Sequence, residues 1–236
     1  MKLKLKSETI IGMAQNFVGT NNINLLDPVG EFGTRDKGGK DASASRYIFT
    51  KLTTLTRIIF NKYDDSILNY LDDDGLKIEP EFYVPIIPMV LVNGADGIGT
   101  GWSTFVPKYK PEDIITYIEN KLKRKRKNIE LNPWYKDYKG SFTFDKETNK
   151  FITRGIIKRT VNKRIKDKIY QISELPIGTN NDSYHTILDK LMEKDEIVDY
   201  DDNSIDSSIN INVRITKKFD NIYNNMKLLK NFLISD

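Results

Sequence analysis

Arg46 and Tyr47 adjoin one another in "DASASRYIFT", residues 41–50. A tyrosine beside an arginine can attack phosphorus. A free phenol titrates near a pH of about 10, so a tyrosine nucleophile needs a cation or a base at hand. An adjacent guanidinium lowers that cost and can hold a phosphate through charge-assisted hydrogen bonds. The obstacle is geometric, because neighbouring side chains on a strand point to opposite faces. The pair converges on one phosphate only if the strand begins at Tyr47 and Arg46 still belongs to the loop before it. Otherwise Tyr47 is a half-buried strand tyrosine. The residues around the pair admit both readings.

A second constellation is "NGADGIGTGW" (93–102). Gly94, Gly97, Gly99 and Gly101 let the backbone come close to a partner. Ile98 stands between two of them, stiff and apolar, where it could wedge between base pairs. The other reading is a tight turn whose isoleucine folds back on the core. Three further matches fail. "GTRDKGGK" departs from a P-loop, since Gly39 separates Gly38 from Lys40 and Asp41 follows where a hydroxyl residue belongs. "GIGTGW" has Trp102 where a dinucleotide fingerprint needs its third glycine. "LDDDG" (71–75) reads as an exposed turn rather than a Mg²⁺ site.

Composition narrows the chemistry. The 236 residues contain no cysteine and one histidine, His185. Disulfides, thiolate catalysis and cysteine-ligated zinc are excluded, and a histidine metal cluster or a serine–histidine triad is not expected within the chain. No apolar run approaches the roughly 20 residues that span a bilayer, so no membrane partner is expected. Net charge is +4, but the basic residues gather in "KLKRKRK" (121–127) and "GIIKRTVNKRIKDK" (155–168). Such a segregated basic surface suits phosphate binding. It suits a solvated helix face and lysine-protected strand edges equally well.

These residues need elements to position them. "SETIIGMAQNFVG" predicts a helix capped by Ser7, with Ile10, Ile11, Ala14, Phe17 and Val18 at helical spacing. A long irregular stretch follows to Ser45, then a short strand at "RYIFT" and a helix at "LTTLTRIIF". "PMVLVNG" reads as a buried strand running into the glycine loop. Pro111 suits the first turn of a helix lined by Ile114, Ile115, Ile118 and Leu122. Strands at "GSFTFDKETNKFI", "GIIKRTV", "KIYQISELP" and "SININVRIT", a hairpin turn at "DKETNK", a helix at "SYHTILDKLMEK" and a closing helix at "DNIYNNMKLLKNFLI" complete the pattern. A composition break near Phe105–Lys110 divides two units that each mix helices and strands.

Taken together, "AQNFVGTNNINLLDPVGEFGTRDKGGKDASASRYIFT", "EPEFYVPIIPMVLVNGADGIGTGWST", "ELPIGT" and "IVDYDDNSIDSSININVRIT" resemble the DNA breakage–reunion core of eukaryotic DNA topoisomerase II, a type IIA enzyme. The resemblance implies an α+β fold. A winged-helix domain over 1–105 would be followed by a tower domain over 106–236, with a mixed sheet and a last helix leading to a coiled coil. Tyr47 falls on the family's nucleophile, which joins a 5′ phosphate and frees a 3′ hydroxyl. Arg46 falls on the arginine that stabilises the transition state. Ile98 falls on the intercalating wedge, with Gly97 and Gly99 against DNA. Arg35 and Lys40 lie in the active-site loop, where phosphate contacts are expected. Double-stranded DNA, a homodimer, a nuclear location and a role in chromosome segregation follow from the same resemblance.

The departures also set expectations. The ATPase region and the acidic metal-binding domain have no counterpart in the chain, so Mg²⁺ and ATP would be bound elsewhere in a full-length enzyme and none by this chain. "KLKLKS" replaces the family's His-His-Gly stretch, and "DASASRY" differs slightly from the usual pattern. The chain is therefore expected to be a fragment that binds DNA weakly and cannot cleave it alone. A non-catalytic winged-helix DNA-binding or architectural module is the alternative.

Overall fold

The computed structural model describes residues 2–126, 128–148, 150–160, 168–205 and 208–216. They fall into two compact units whose sequences interleave. The first takes Met1–Asn16, Thr20–Gly30 and Ala44–Tyr135; the second takes Phe17–Gly19, Glu31–Ser43 and the chain from Lys136. Both units combine helices with antiparallel strands, in keeping with the expected α+β class.

In the first unit, helix α1 covers Lys2–Ala14. It starts five residues before the expected cap at Ser7, because leucine and lysine are good helix formers and "KLKLK" contains no breaker. It also ends earlier than expected, leaving Phe17 and Val18 outside. The last carbonyls of a helix lack intrahelical partners. Here the Asn21 side-chain amide donates to the Gly12 and Gln15 carbonyls at 2.7 and 2.9 Å. The Asn24 amide donates to Ala14 and Gln15 at 2.8 Å each. Asn22, buried between them in sequence, brings Nδ2 within 2.9–3.2 Å of the Val92, Tyr109 and Trp134 carbonyls. The run "NNIN" is thus irregular in backbone but fastens the unit through its side chains.

Strand β1 (Leu26–Val29) pairs antiparallel with β2 (Phe49–Leu52), with Val29 opposite Phe49. The predicted helix at "LTTLTRIIF" shrinks to one turn, α2 (Thr56–Ile59). Strands β3 (Tyr70–Asp73) and β4 (Leu76–Pro80) form a hairpin across "LDDDG". Its two turn residues, Asp74 and Gly75, have φ of 51° and 83°. Two consecutive left-handed residues are what a type I′ turn demands, so the acid run is a turn as expected. "PMVLVNG" forms no strand. Pro88 caps a single helical turn, α3 (Met89–Val92), and Asn93 closes it by exchanging two hydrogen bonds with the Ile23 backbone. Strands β5 (Ala95–Gly99) and β6 (Trp102–Val106) form the next hairpin. Helix α4 (Pro111–Leu122) begins on its proline as expected, with Glu112 and Asp113 in the first turn and Lys121 in the last, matching the helix dipole. Of its predicted face only Ile114 is fully buried; Leu122 is exposed.

In the second unit, β7 (Ser141–Asp145) and β8 (Lys150–Arg154) form a hairpin across the predicted "DKETNK" turn. Strands β9 (Ile156–Thr160) and β10 (Lys168–Glu174), helix α5 (Asn181–Glu193), and strands β11 (Ile197–Asp202) and β12 (Ile211–Ile215) follow. The sheet order is β11-β12-β10-β9. Its three pairings are antiparallel, which corrects the expectation of a mixed sheet. β12 separates β10 from β11, so the crossover through α5 creates no parallel neighbours. Ile211, Val213 and Ile215 alternate inward on β12 and meet Tyr170 and Ile172 from β10 and Tyr184, Leu188 and Leu191 from α5. Helix α5 opens with a capping box between Asn180 and Ser183. The predicted closing helix lies outside the described residues.

Candidate active site

Tyr47 does not sit on a strand. Ser45–Tyr47 form one 3₁₀ turn, with the Tyr47 amide donating to the Ala44 carbonyl at 2.9 Å, and the extended backbone begins at Ile48. Successive side chains on such a turn are about 120° apart rather than opposed. The geometric objection to a joint role therefore falls away. The Arg46 guanidinium carbon lies 4.8 Å from the Tyr47 ring centroid. Tyr47 is 66% exposed and Arg46 is exposed beside it. An accessible hydroxyl with five N–H donors stacked at its side suits attack on an external phosphodiester. Tyr138 shows the contrast. Burial, then the charge of Glu174, pushes its phenol well above the ordinary range, and its hydroxyl donates to the Arg154 carbonyl at 2.8 Å. That tyrosine is structural.

The chain before Tyr47 is built, not slack. Gly33 has φ of 96°, and a Cβ there would lie 2.7 Å from the Gly39 Cα. The Asp41 carboxylate closes the loop by accepting from the Thr34 amide at 2.8 Å and its hydroxyl at 2.6 Å. Burial works to raise the Asp41 pKa, but these hydrogen bonds outweigh it and hold the group below the ordinary carboxylate value. Lys40 is exposed, as a phosphate contact requires. Arg35 is not. It is 6% exposed and forms an ion pair with the buried Glu174. Its guanidinium faces a carboxylate inside the second unit, which removes it from the expected phosphate contacts.

Ile98, Gly97 and Gly99 lie on β5, one strand of a hairpin rather than an irregular loop. Ile98 pairs with Ser103, and the chain turns at Thr100–Gly101, where Gly101 has φ of 80°. Gly94 must be glycine at the hairpin entry, because a Cβ there would come 2.7 Å from the Val106 carbonyl oxygen. Among the described residues nothing lies within 4 Å of a Cβ built on Gly97. Packing among the described residues does not account for the small residue there. Of the basic stretches, Lys121, Lys123, Arg124, Lys125 and Arg126 are exposed in the first unit, and Lys158 and Arg159 in the second. Lys127 and 161–167 lie outside the described residues.

Sequence reasoning missed Glu174, Asp41 and Asn22. Only Glu174 carried a signal, an acid at a strand end inside the quoted "ELPIGT".

A family model for the DNA gyrase/topoisomerase IV A subunit matches residues 6–236. The chain is 48% identical over 211 residues to DNA topoisomerase 2 of Plasmodium falciparum, a match covering 88% of this chain and 15% of that protein. The chain belongs to the type II DNA topoisomerases. It is also 48% identical over 188 residues to DNA topoisomerase 2 of Arabidopsis thaliana, covering 78% of the chain and 12% of the relative. The mitochondrial DNA topoisomerase 2 of Dictyostelium discoideum is 42% identical over 207 residues, covering 88% and 16%. The chain thus spans a sixth or less of these topoisomerases. A crystal structure of the P. falciparum topoisomerase II DNA-binding, cleavage and re-ligation domain superposes with a TM-score of 0.89 at 46% identity. That match covers 100% of this chain and 32% of the other.

Proposed function

We propose that this chain carries the nucleophile of a DNA gate in an ATP-dependent type II topoisomerase. The phenolic oxygen of Tyr47 attacks a backbone phosphorus. The phenol gives up its proton and joins the 5′ phosphate, the bond from phosphorus to the 3′ oxygen breaks, and that oxygen takes up a proton to become a 3′ hydroxyl. Reversal reseals the strand, and because one ester replaces another no ATP is needed for resealing. Arg46 holds the equatorial phosphate oxygens as charge builds on them. The carrying observation is the exposed, stacked Arg46–Tyr47 pair, in a chain alike over its whole length to a cleavage and re-ligation domain.

The hairpin β5–β6 meets the duplex. Ile98 wedges into a base step, while Gly97 and Gly99 let the backbone approach. Lys40 contacts phosphate. Bending the duplex costs on the order of 1–10 kcal/mol, which phosphate contacts along the basic stretches offset. Residues 1–105 act as a winged-helix domain and 106–236 as a tower. The working enzyme is a homodimer of longer chains that passes a second duplex through the gate, in the nucleus, during chromosome segregation.

Among the described residues no three His, Cys, Asp or Glu side chains group as a metal site. We assign Mg²⁺ and ATP to other parts of the full-length enzyme. The deciding experiment uses that full-length enzyme with Tyr47→Phe. Covalent protein–DNA adducts disappear while DNA binding persists; adducts that survive the substitution sink the assignment, and adducts absent from the unsubstituted enzyme favour a non-catalytic module. Fluorescence microscopy of the tagged full-length enzyme tests the nuclear location against the mitochondrial one that a relative's name records.

A further inference from the structure

The loop Glu31–Ser43 belongs to the second unit, yet Tyr47 follows Ser43 by only four residues. Four residues reach at most about 14 Å, so wherever the loop is held, the tyrosine is held nearby. Within the second unit the loop is fastened at successive positions. Arg35 Nη2 pairs with Glu174 Oε1 at the end of β10, and the two side chains are 6% and 2% exposed. Glu174 is itself locked in place. Its Oε2 accepts from the Lys139 amide at 3.1 Å, and its Oε1 accepts from the Leu175 amide at 3.0 Å. Next along the loop, the Asp36 carbonyl accepts from the Asp182 amide at 3.3 Å. Lys37 Nζ then donates to both Asp182 carboxylate oxygens at 2.8 and 2.7 Å.

A buried ion pair is a poor source of net stability, because desolvation cancels much of the attraction. It is a good source of register, because breaking one side strands a charge and the guanidinium fork accepts few geometries. An apolar contact would seat this loop as tightly but not in so definite a place.

We propose that Arg35 and Glu174 are positioning residues for Tyr47. The pair pins the loop to the end of β10, and the short stretch Ala44–Arg46 transmits that placement to the phenol. Lys37 and Asp182 form an auxiliary surface pin. The proposal rests on Tyr47 being the nucleophile.

The test uses the full-length enzyme and two readouts: the single-turnover rate of covalent adduct formation at saturating DNA, and the dissociation constant for DNA. Glu174→Gln lowers the adduct rate by about 10²-fold, the scale of a 1 Å misplacement, while DNA affinity moves less than about threefold. Arg35→Lys, which keeps the charge but loses the fork, falls between the native enzyme and Arg35→Met. Lys37→Ala alters only an exposed pair and gives a smaller drop in the same rate. An unchanged adduct rate in Glu174→Gln overturns the proposal. If Glu174→Gln does not fold, an unchanged rate in Lys37→Ala overturns it. An equal loss of DNA binding also overturns it, since it would mark general disruption. Tyr47→Phe is measured alongside. Adducts that persist there refute the nucleophile reading instead, so the two failures are told apart.

Discussion

Arg46 stacks beside Tyr47 because the backbone turns through a 3₁₀ step before it extends at Ile48. A strand would have put the guanidinium on the far face. Its stacked position, 4.8 Å from the ring centroid, leaves its donors available to an incoming phosphate. Arg46→Ala in the full-length enzyme should therefore slow adduct formation by about 10²–10³-fold, the usual cost of losing one preorganised donor group at developing negative charge. DNA affinity should hardly change. Quench-flow trapping of the adduct measures the first quantity and fluorescence anisotropy the second; equal losses in both would make Arg46 a ground-state DNA contact only.

Two further elements each carry their own test. The loop closed by Asp41 and Thr34 responds to acid. Asp41 titrates below its unfolded value, so it stabilises the loop fully above a pH of about 4 and loses that contribution as the pH falls through the lower folded value. Asp36, in the same loop, is shifted upward by burial and then by Asp202, Asp182 and Asp41, so its charged form costs stability that acid relieves. Amide exchange at Thr34 separates them. It should quicken on acidification relative to intrinsic exchange in the native chain, and be already fast at neutral pH in Asp41→Ala. Protection that survives in Asp41→Ala would show that the clamp does not hold the loop. The hairpin β5–β6 is tested by bending. Ile98→Ala should reduce the bend angle of a bound duplex, read by energy transfer between its ends, more than it reduces affinity. An unchanged angle would remove the wedge role.

At the scale of the molecule, charge and chain path matter most. The acids of β11 and the basic run after α4 are kept apart in sequence, and Arg124, Lys125 and Arg126 are exposed. Replacing these three by alanine should weaken DNA binding equally for all sequences. The slope of log affinity against log salt should shrink by about 0.9 for each phosphate that is no longer neutralised. A slope identical to that of the native chain would mean that this run does not touch DNA. The chain path is the other large-scale feature. It leaves the first unit at Gly30, builds the loop Glu31–Ser43 in the second, and returns at Ala44, three residues before Tyr47. Tyr47 thus follows a loop of the second unit by four residues and leads directly into β2.

Local chemistry was legible in the residues themselves. Pro111 with two acids marked the start of α4, "DKETNK" marked a hairpin turn, Asp74–Gly75 marked another, and helical spacing marked α5. The resemblance, carried by motifs in order, pointed to Tyr47, Arg46 and Ile98. Those signals are short-range, so they survive without the fold. Three things could be decided only in three dimensions. Helix α1 stops at Ala14 because Asn21 and Asn24 fold back onto its last carbonyls. Arg35, which as sequence looks like a phosphate ligand, is paired with a carboxylate 139 residues away. The 3₁₀ turn that stacks Arg46 on Tyr47 replaces the strand that aromatic and β-branched residues favour. In the second case the partner lies outside any local window. Spacing along a chain encodes turns and faces, but which buried charge meets which is settled only when the chain folds.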